Sequence, residues 1–175
     1  NKALDAVPHD FDWCFYIQAD EVLHEHHVPA VRSAMEAYLG NPAVEGLLFR
    51  YRHFFGTYDY VADSRRWYRH EIRIIRNDRS IRSWGDAQGF RRQDGSKLQA
   101  AQSGAEMYHY GWVKAPKLMK DKVEGAKAYW LPDSKHIRTM DRPDEEYLYA
   151  QNYDSLSRFD GTHPDVMRER IEQLN

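Results

Sequence analysis

Asp12-Trp13-Cys14-Phe15-Tyr16-Ile17-Gln18-Ala19-Asp20-Glu21 organises the reading of this chain. Five apolar or aromatic residues, Trp13 to Ile17, run into a polar pair, Asp20 and Glu21. A short continuous apolar run predicts a strand buried on both faces, as in a parallel sheet. Ligands of open α/β sheets bind just beyond the carboxyl ends of such strands. Carboxylates placed there can hold a hard divalent cation, which in turn can hold phosphate oxygens. The residues alone therefore point to a metal-assisted site for a phosphorylated ligand.

Around this run the pattern alternates helices and strands. Residues 1–6 read as the tail of a helix. Val28-Pro29 to Leu39 predicts a helix, with Pro29 in its first turn and Val31, Ala34, Met35, Tyr38 and Leu39 at helical spacing. Gly40-Asn41-Pro42 stops it. Residues 44–55 predict a strand and 56–64 a loop. Residues 67–75 and 81–84 predict the two strands of a hairpin around Asn77-Asp78-Arg79-Ser80. Residues 85–104 predict a long loop, and 105–110 a short strand. Residues 116–130, 144–158 and 164–174 predict helices, with a charged connector over 133–143. There is no internal repeat.

Four stretches in this order resemble glycosyltransferase family 2. Gln18-Ala19-Asp20-Glu21 resembles the family's Asp-Ala-Asp-Glu after its central strand, with Gln18 in place of the first Asp. His70-Glu71-Ile72-Arg73-Ile74-Ile75-Arg76-Asn77 resembles its Arg-rich strand ending in Arg-Asn. His109-Tyr110-Gly111 resembles the segment where many members place a metal-binding His. Phe159-Asp160-Gly161-Thr162-His163-Pro164 resembles a segment near the end of one bacterial subgroup. The resemblance implies an α/β, GT-A-like mixed sheet flanked by helices. It also implies that residues 1–175 form a single domain, the C-terminal portion of a longer catalytic domain whose leading βαβ units lie outside the chain. An incomplete sheet carries an unpaired edge, so a homodimer is one expected state.

Composition bounds the alternatives. The chain has 175 residues, a net charge of −2, 42% hydrophobic and 30% charged residues. That is one domain's worth, able to bury a core. The near-zero charge gives no global pull toward nucleic acid or anionic membrane. The lone cysteine, Cys14, forms no internal disulfide and reads as a small buried hydrophobe. No apolar run approaches the roughly 20 residues of a membrane span. With the resemblance, these features imply a cytoplasmic location, at most peripheral to the inner face of a membrane.

The resemblance assigns roles to particular residues. Asp20 would hold Mg²⁺ or Mn²⁺ on a nucleotide diphosphate, with His109 and a neutral oxygen from Gln18 as further ligands. Lys114, Trp112 and Arg73 would approach the donor, the two cations at its diphosphate. A transfer that inverts the anomeric centre needs a general base. Asp86, in Trp84-Gly85-Asp86-Ala87-Gln88-Gly89, is the first candidate and Glu71 the second. Trp84 and Trp112 could stack on a sugar or base, or fill the core. The expected reaction moves a sugar from a nucleotide-diphosphate donor to an acceptor hydroxyl on a saccharide, lipid or protein. Two other readings stay open. A degenerate domain that binds a nucleotide or sugar without turnover fits Gln18 and the missing acid near Gln88. A single-stranded nucleic-acid module fits the nine arginines of residues 65–92 interleaved with Trp67, Tyr68, Trp84 and Phe90. Acidic residues interrupt that arginine run. Most of it therefore reads as a solvated, ion-paired face. His24, Glu25, His26 and His27 read as a polar turn before the Pro29 helix.

Overall fold

A computed structural model describes residues 1–65, 67–85, 88–114, 118 and 155–173. All of the expected helix 116–130 but Leu118, the connector 133–143, most of the expected helix 144–158, and Asp86 lie outside these residues. The described residues form a mixed α/β structure rich in strands. The chain divides into two units: Asn1–Arg52, Tyr68–Tyr108 and Thr162–Asn175 make the first, and His53–Trp67 and His109–Gly161 the second.

In the first unit, β1 (Trp13–Phe15) pairs with β5 (His70–Arg76), and β5 pairs with β3 (Gly46–Phe55). Both ladders are antiparallel. β8 (Ala100–Trp112) pairs with β3 and with β2 (Glu21–Leu23). The apolar run is therefore shorter and less enclosed than its sequence predicts. Its strand ends at Phe15 and runs antiparallel to its neighbour, and Phe15 and Ile17 are 40% and 44% exposed. A five-residue apolar run does not distinguish a doubly buried strand from one whose aromatics lie half in solvent.

Leu47, Phe49, Ile74 and Met107 are fully buried and form one core with Val31 of α2 (Val28–Ala37). β3 starts at Gly46 because nothing larger fits there. A Cβ would lie 2.8 Å from the Ile72 Cγ2 and 3.0 Å from the Ile74 carbonyl oxygen. A second cluster joins Cys14 to Ile75, Ile81, Phe90 and Leu98, with Leu4 of α1 (Lys2–Asp5) against it. Burial accordingly pushes the Cys14 thiol pKa up.

The expected hairpin of residues 67–75 with 81–84 does not form. β5 spends its edges on β1 and β3, while β6 (Ile81–Trp84) pairs with β7 (Gly89–Arg92). Asp78 turns the chain early, its Oδ1 accepting from the Ser80 N–H. Gly85, at φ +61°, supplies the left-handed step at the end of β6. Part of the expected long loop 85–104 is therefore strand: it contains β7, and β8 already starts at Ala100. At the C-terminus a 3-10 turn, Asp165–Met167, and α3 (Arg168–Glu172) replace one continuous helix.

In the second unit the end of β3 pairs antiparallel with β4 (Tyr60–Ala62), and β4 with β9 (Leu156–Arg158). Residues 156–158 are thus strand, where the pattern predicts the end of a helix. Stacking of Phe54 on Tyr110, ring centroids 4.7 Å apart, centres the packing of this unit.

Candidate functional site

Glu21 does not face a ligand. It is 4% exposed and Arg73 is 1% exposed, and the two form a buried ion pair. The Arg73 Nε donates to Glu21 Oε2 at 2.9 Å and Nη2 to Oε1 at 2.7 Å. The Tyr51 hydroxyl donates to Oε1 at 2.6 Å, and the Gln18 backbone N–H to Oε2 at 3.1 Å. Burial pushes the Tyr51 phenol far above its ordinary pKa, and Glu21 adds to the rise. The rings of Tyr16 and Tyr51 flank the guanidinium at 5.6 and 5.2 Å. Its Nη1 donates to the carbonyls of Ile72 and Gln88. Arg73, expected at the donor's diphosphate, is thus committed to holding the run of residues 16–21 against β5. Through Gln88 it also fixes the turn before β7.

That turn borders a cleft of ≈ 180 Å³ lined by Glu71, Ile72, Trp84, Gln88, Gly89, Phe90 and Arg91. Three features of the ladder build it. In the β6–β7 register, Trp84 faces Gly89 and Arg82 faces Arg91. Side chains directly opposite each other share a face, so Arg82, Trp84 and Arg91 stand on one side. Ile81 and Phe90 go into the core on the other. Gly89 leaves the position across from Trp84 without a side chain, and Glu71 enters that space. Its Oε2 lies 3.0 Å from where a Cβ on Gly89 would stand.

Glu71 is half-buried and has no hydrogen bond or ion pair to any of the described residues. Burial raises its pKa above the ordinary glutamate value, against the pull of Arg73 and Arg91, and Glu21 raises it further. Trp84 is 54% exposed, and the Arg91 guanidinium lies 6.0 Å from its ring centroid. A carboxylate with a raised pKa, an open indole face and a guanidinium thus meet at one cleft.

The remaining expected residues are placed as follows. Asp20 and Gln18 are half-buried and lie in the first unit, whereas His109, Trp112 and Lys114 lie in the second. The oxygen donors of Asp20 and Gln18 suit a hard cation. Among the described residues, no group of three or more His, Cys, Asp or Glu side chains is arranged to hold a metal ion. His109 is buried, its Nδ1 2.9 Å from the Nδ1 of His53. Trp112 packs edge-on against Trp67 at 5.3 Å and stacks with Phe55. Most arginines of residues 73–92 are tied down. Arg82 pairs with Asp5, Arg92 with Glu45, and Arg76 and Arg79 bind carbonyls. His24, His26 and His27 stack in a 3-10 turn, and His24 Nε2 lies 2.9 Å from Thr162 Oγ1. Among the described residues no helix is long and apolar enough to cross a membrane.

No protein-family model matches this sequence, and no curated protein matches it. Sequence reasoning reached Glu71 and Trp84 separately. It missed their convergence with Arg91, whose signal is the five-residue spacing of Trp84 and Gly89 across a turn opened by Gly85.

Proposed function

We propose that the chain belongs to a GT-A-like glycosyltransferase resembling family 2, and that the cleft at β6 and β7 receives its acceptor. The observation that carries this reading is Glu71, a half-buried carboxylate with no partner among the described residues, beside an exposed indole. A carboxylate left without hydrogen bonds costs stability, and such costs concentrate where chemistry needs them. Trp84 offers the apolar face on which a pyranose ring stacks.

Glu71 acts as the general base. As the acceptor oxygen bonds to the anomeric carbon, the acceptor's proton passes to the Glu71 carboxylate. The bond from the anomeric carbon to the diphosphate breaks, and the nucleoside diphosphate leaves with that electron pair. Asp20, with Gln18, is the candidate holder of Mg²⁺ or Mn²⁺, which when bound would stabilise charge on the diphosphate. Asp86, the first candidate from sequence, lies outside the described residues; Glu71 is the candidate whose surroundings support the role.

The test is Glu71→Gln in the full-length protein, with transfer and donor binding measured side by side. Expected is a fall in kcat of about 10²–10⁴-fold, the usual worth of a general base, with donor affinity kept. Turnover within a fewfold of the native protein would refute the assignment.

A further inference from the structure

We propose that the cleft selects an anionic saccharide, stacking its ring on Trp84 and binding its acid group through Arg91. Three observations meet here. First, Arg91 has no ion pair or hydrogen bond from its guanidinium among the described residues, and the guanidinium lies 6.0 Å from the Trp84 ring centroid. Its neighbours Arg73, Arg76, Arg79, Arg82 and Arg92 are all bound to carboxylates or carbonyls.

Second, cations face one another across the strands. Arg82 is directly opposite Arg91, and Arg91 bridges antiparallel to Lys97. Like charges at directly opposed positions destabilise a sheet. Asp5 offsets Arg82 alone. Arg91 lines the cleft and Lys97 lies across the bridge from it, so two cations stand against the Glu71 carboxylate there, a positive field for an anion.

Third, the spacing fits one sugar ring. Glu71 reaches the cleft at Gly89, and Arg91 is two residues further along β7, about 7 Å at the usual rise of an extended strand. A ring lying on Trp84 can place its hydroxyl toward Glu71 and its acid group toward Arg91. Guanidinium binds carboxylate and phosphate alike through paired N–H donors, so a uronic acid and a sugar phosphate share this chemistry.

This inference rests on reading the cleft as an acceptor site, and a binding measurement separates the two. Saturation-transfer NMR on the full-length protein, without donor or metal, would use methyl β-glucuronide, methyl β-glucoside and glucose 6-phosphate as probes. Expected is a preference of about tenfold or more for an anionic probe over the glucoside. Arg91→Gln should bring that ratio to about one, Arg91→Lys should keep part of it, and Trp84→Ala should lose all three probes. Preference for the glucuronide alone assigns a uronic acid, and preference for the phosphate alone a sugar phosphate. Equal binding of charged and neutral probes, or a preference that survives Arg91→Gln, would overturn the inference. If the preference holds while Glu71→Gln still transfers sugar normally, the base assignment fails and the anionic site stands. If Glu71→Gln abolishes transfer while the probes bind equally, only the anionic selectivity fails.

Discussion

Replacing Arg73 by Met tests whether the buried pair organises this unit. Met keeps roughly the volume and removes the charge. The Glu21 carboxylate would stay 4% exposed, holding only the Tyr51 hydroxyl and the Gln18 N–H. Removing one partner of a buried pair costs about 3–5 kcal/mol, because a charge is left uncompensated. For a domain of this size, that lowers Tm by roughly 6–20 °C. Adding Glu21→Gln to Arg73→Met should recover more than half of the loss, since neutral replacement of both partners of a buried pair is often tolerated. Urea unfolding of the native protein and the variants at pH 7 measures this. A loss at pH 7 below about 1 kcal/mol would put the pair among ordinary surface ion pairs and refute the reasoning.

The other predictions are smaller. Glu71→Gln should raise Tm slightly at pH 7 even as it stops transfer, because a carboxylate whose folded pKa is raised costs stability once pH exceeds it; a clear fall in Tm would count against a strained base. The acid limb of kcat/KM should lie above the ordinary glutamate value of 4.5, activity falling as Glu71 takes up its proton, and Arg91→Gln should move that limb to higher pH by removing a charge that holds it down. Gly46→Ala should cost about 1–3 kcal/mol in urea unfolding, because the added methyl meets the Ile74 carbonyl, which lies in the β3–β5 ladder. Asp20→Ala in the full-length protein should abolish Mn²⁺-dependent binding of UDP or GDP by calorimetry; undiminished binding would remove Asp20 from the metal.

The sequence made the helix at Pro29 legible because proline, periodicity and the Gly40 stop agreed, and α2 runs over Val28–Ala37. It made β3 legible through alternation, with Leu47, Phe49 and Tyr51 buried between the more exposed Leu48, Arg50 and Arg52. Pairing was not legible. Asn77-Asp78-Arg79-Ser80 is turn chemistry, yet the strands on either side of it take other partners, because Ile74 and Ile75 of β5 have β1 and β3 to pair with. The charged residues were harder still. Glu21 and Glu71 look alike as acids beside apolar runs, and pattern alone made the first part of a ligand-facing pair and the second only the second candidate for a base. Their environments reverse that order. Arg73 reaches Glu21 and consumes it, which leaves Glu71, two residues away on the same strand, without a hydrogen bond or ion pair among the described residues.

That reversal gives the site its physical logic. Alternate residues of a strand face the same way, which places Glu71 and Arg73 to pair with each other. Glu21 and Tyr51 instead outcompete Glu71 for the guanidinium. Gly89 provides the gap through which the displaced carboxylate reaches the cleft. The same arginine also bonds the Gln88 carbonyl at 3.2 Å, so the pair that takes Glu71's partner also holds the wall beside it. Loss of Arg73 should therefore disturb the acceptor cleft as well as the core. In Arg73→Met, under conditions where the protein stays folded, KM for acceptor should rise while donor affinity is kept. An unchanged acceptor KM would show that the cleft is built without the buried pair.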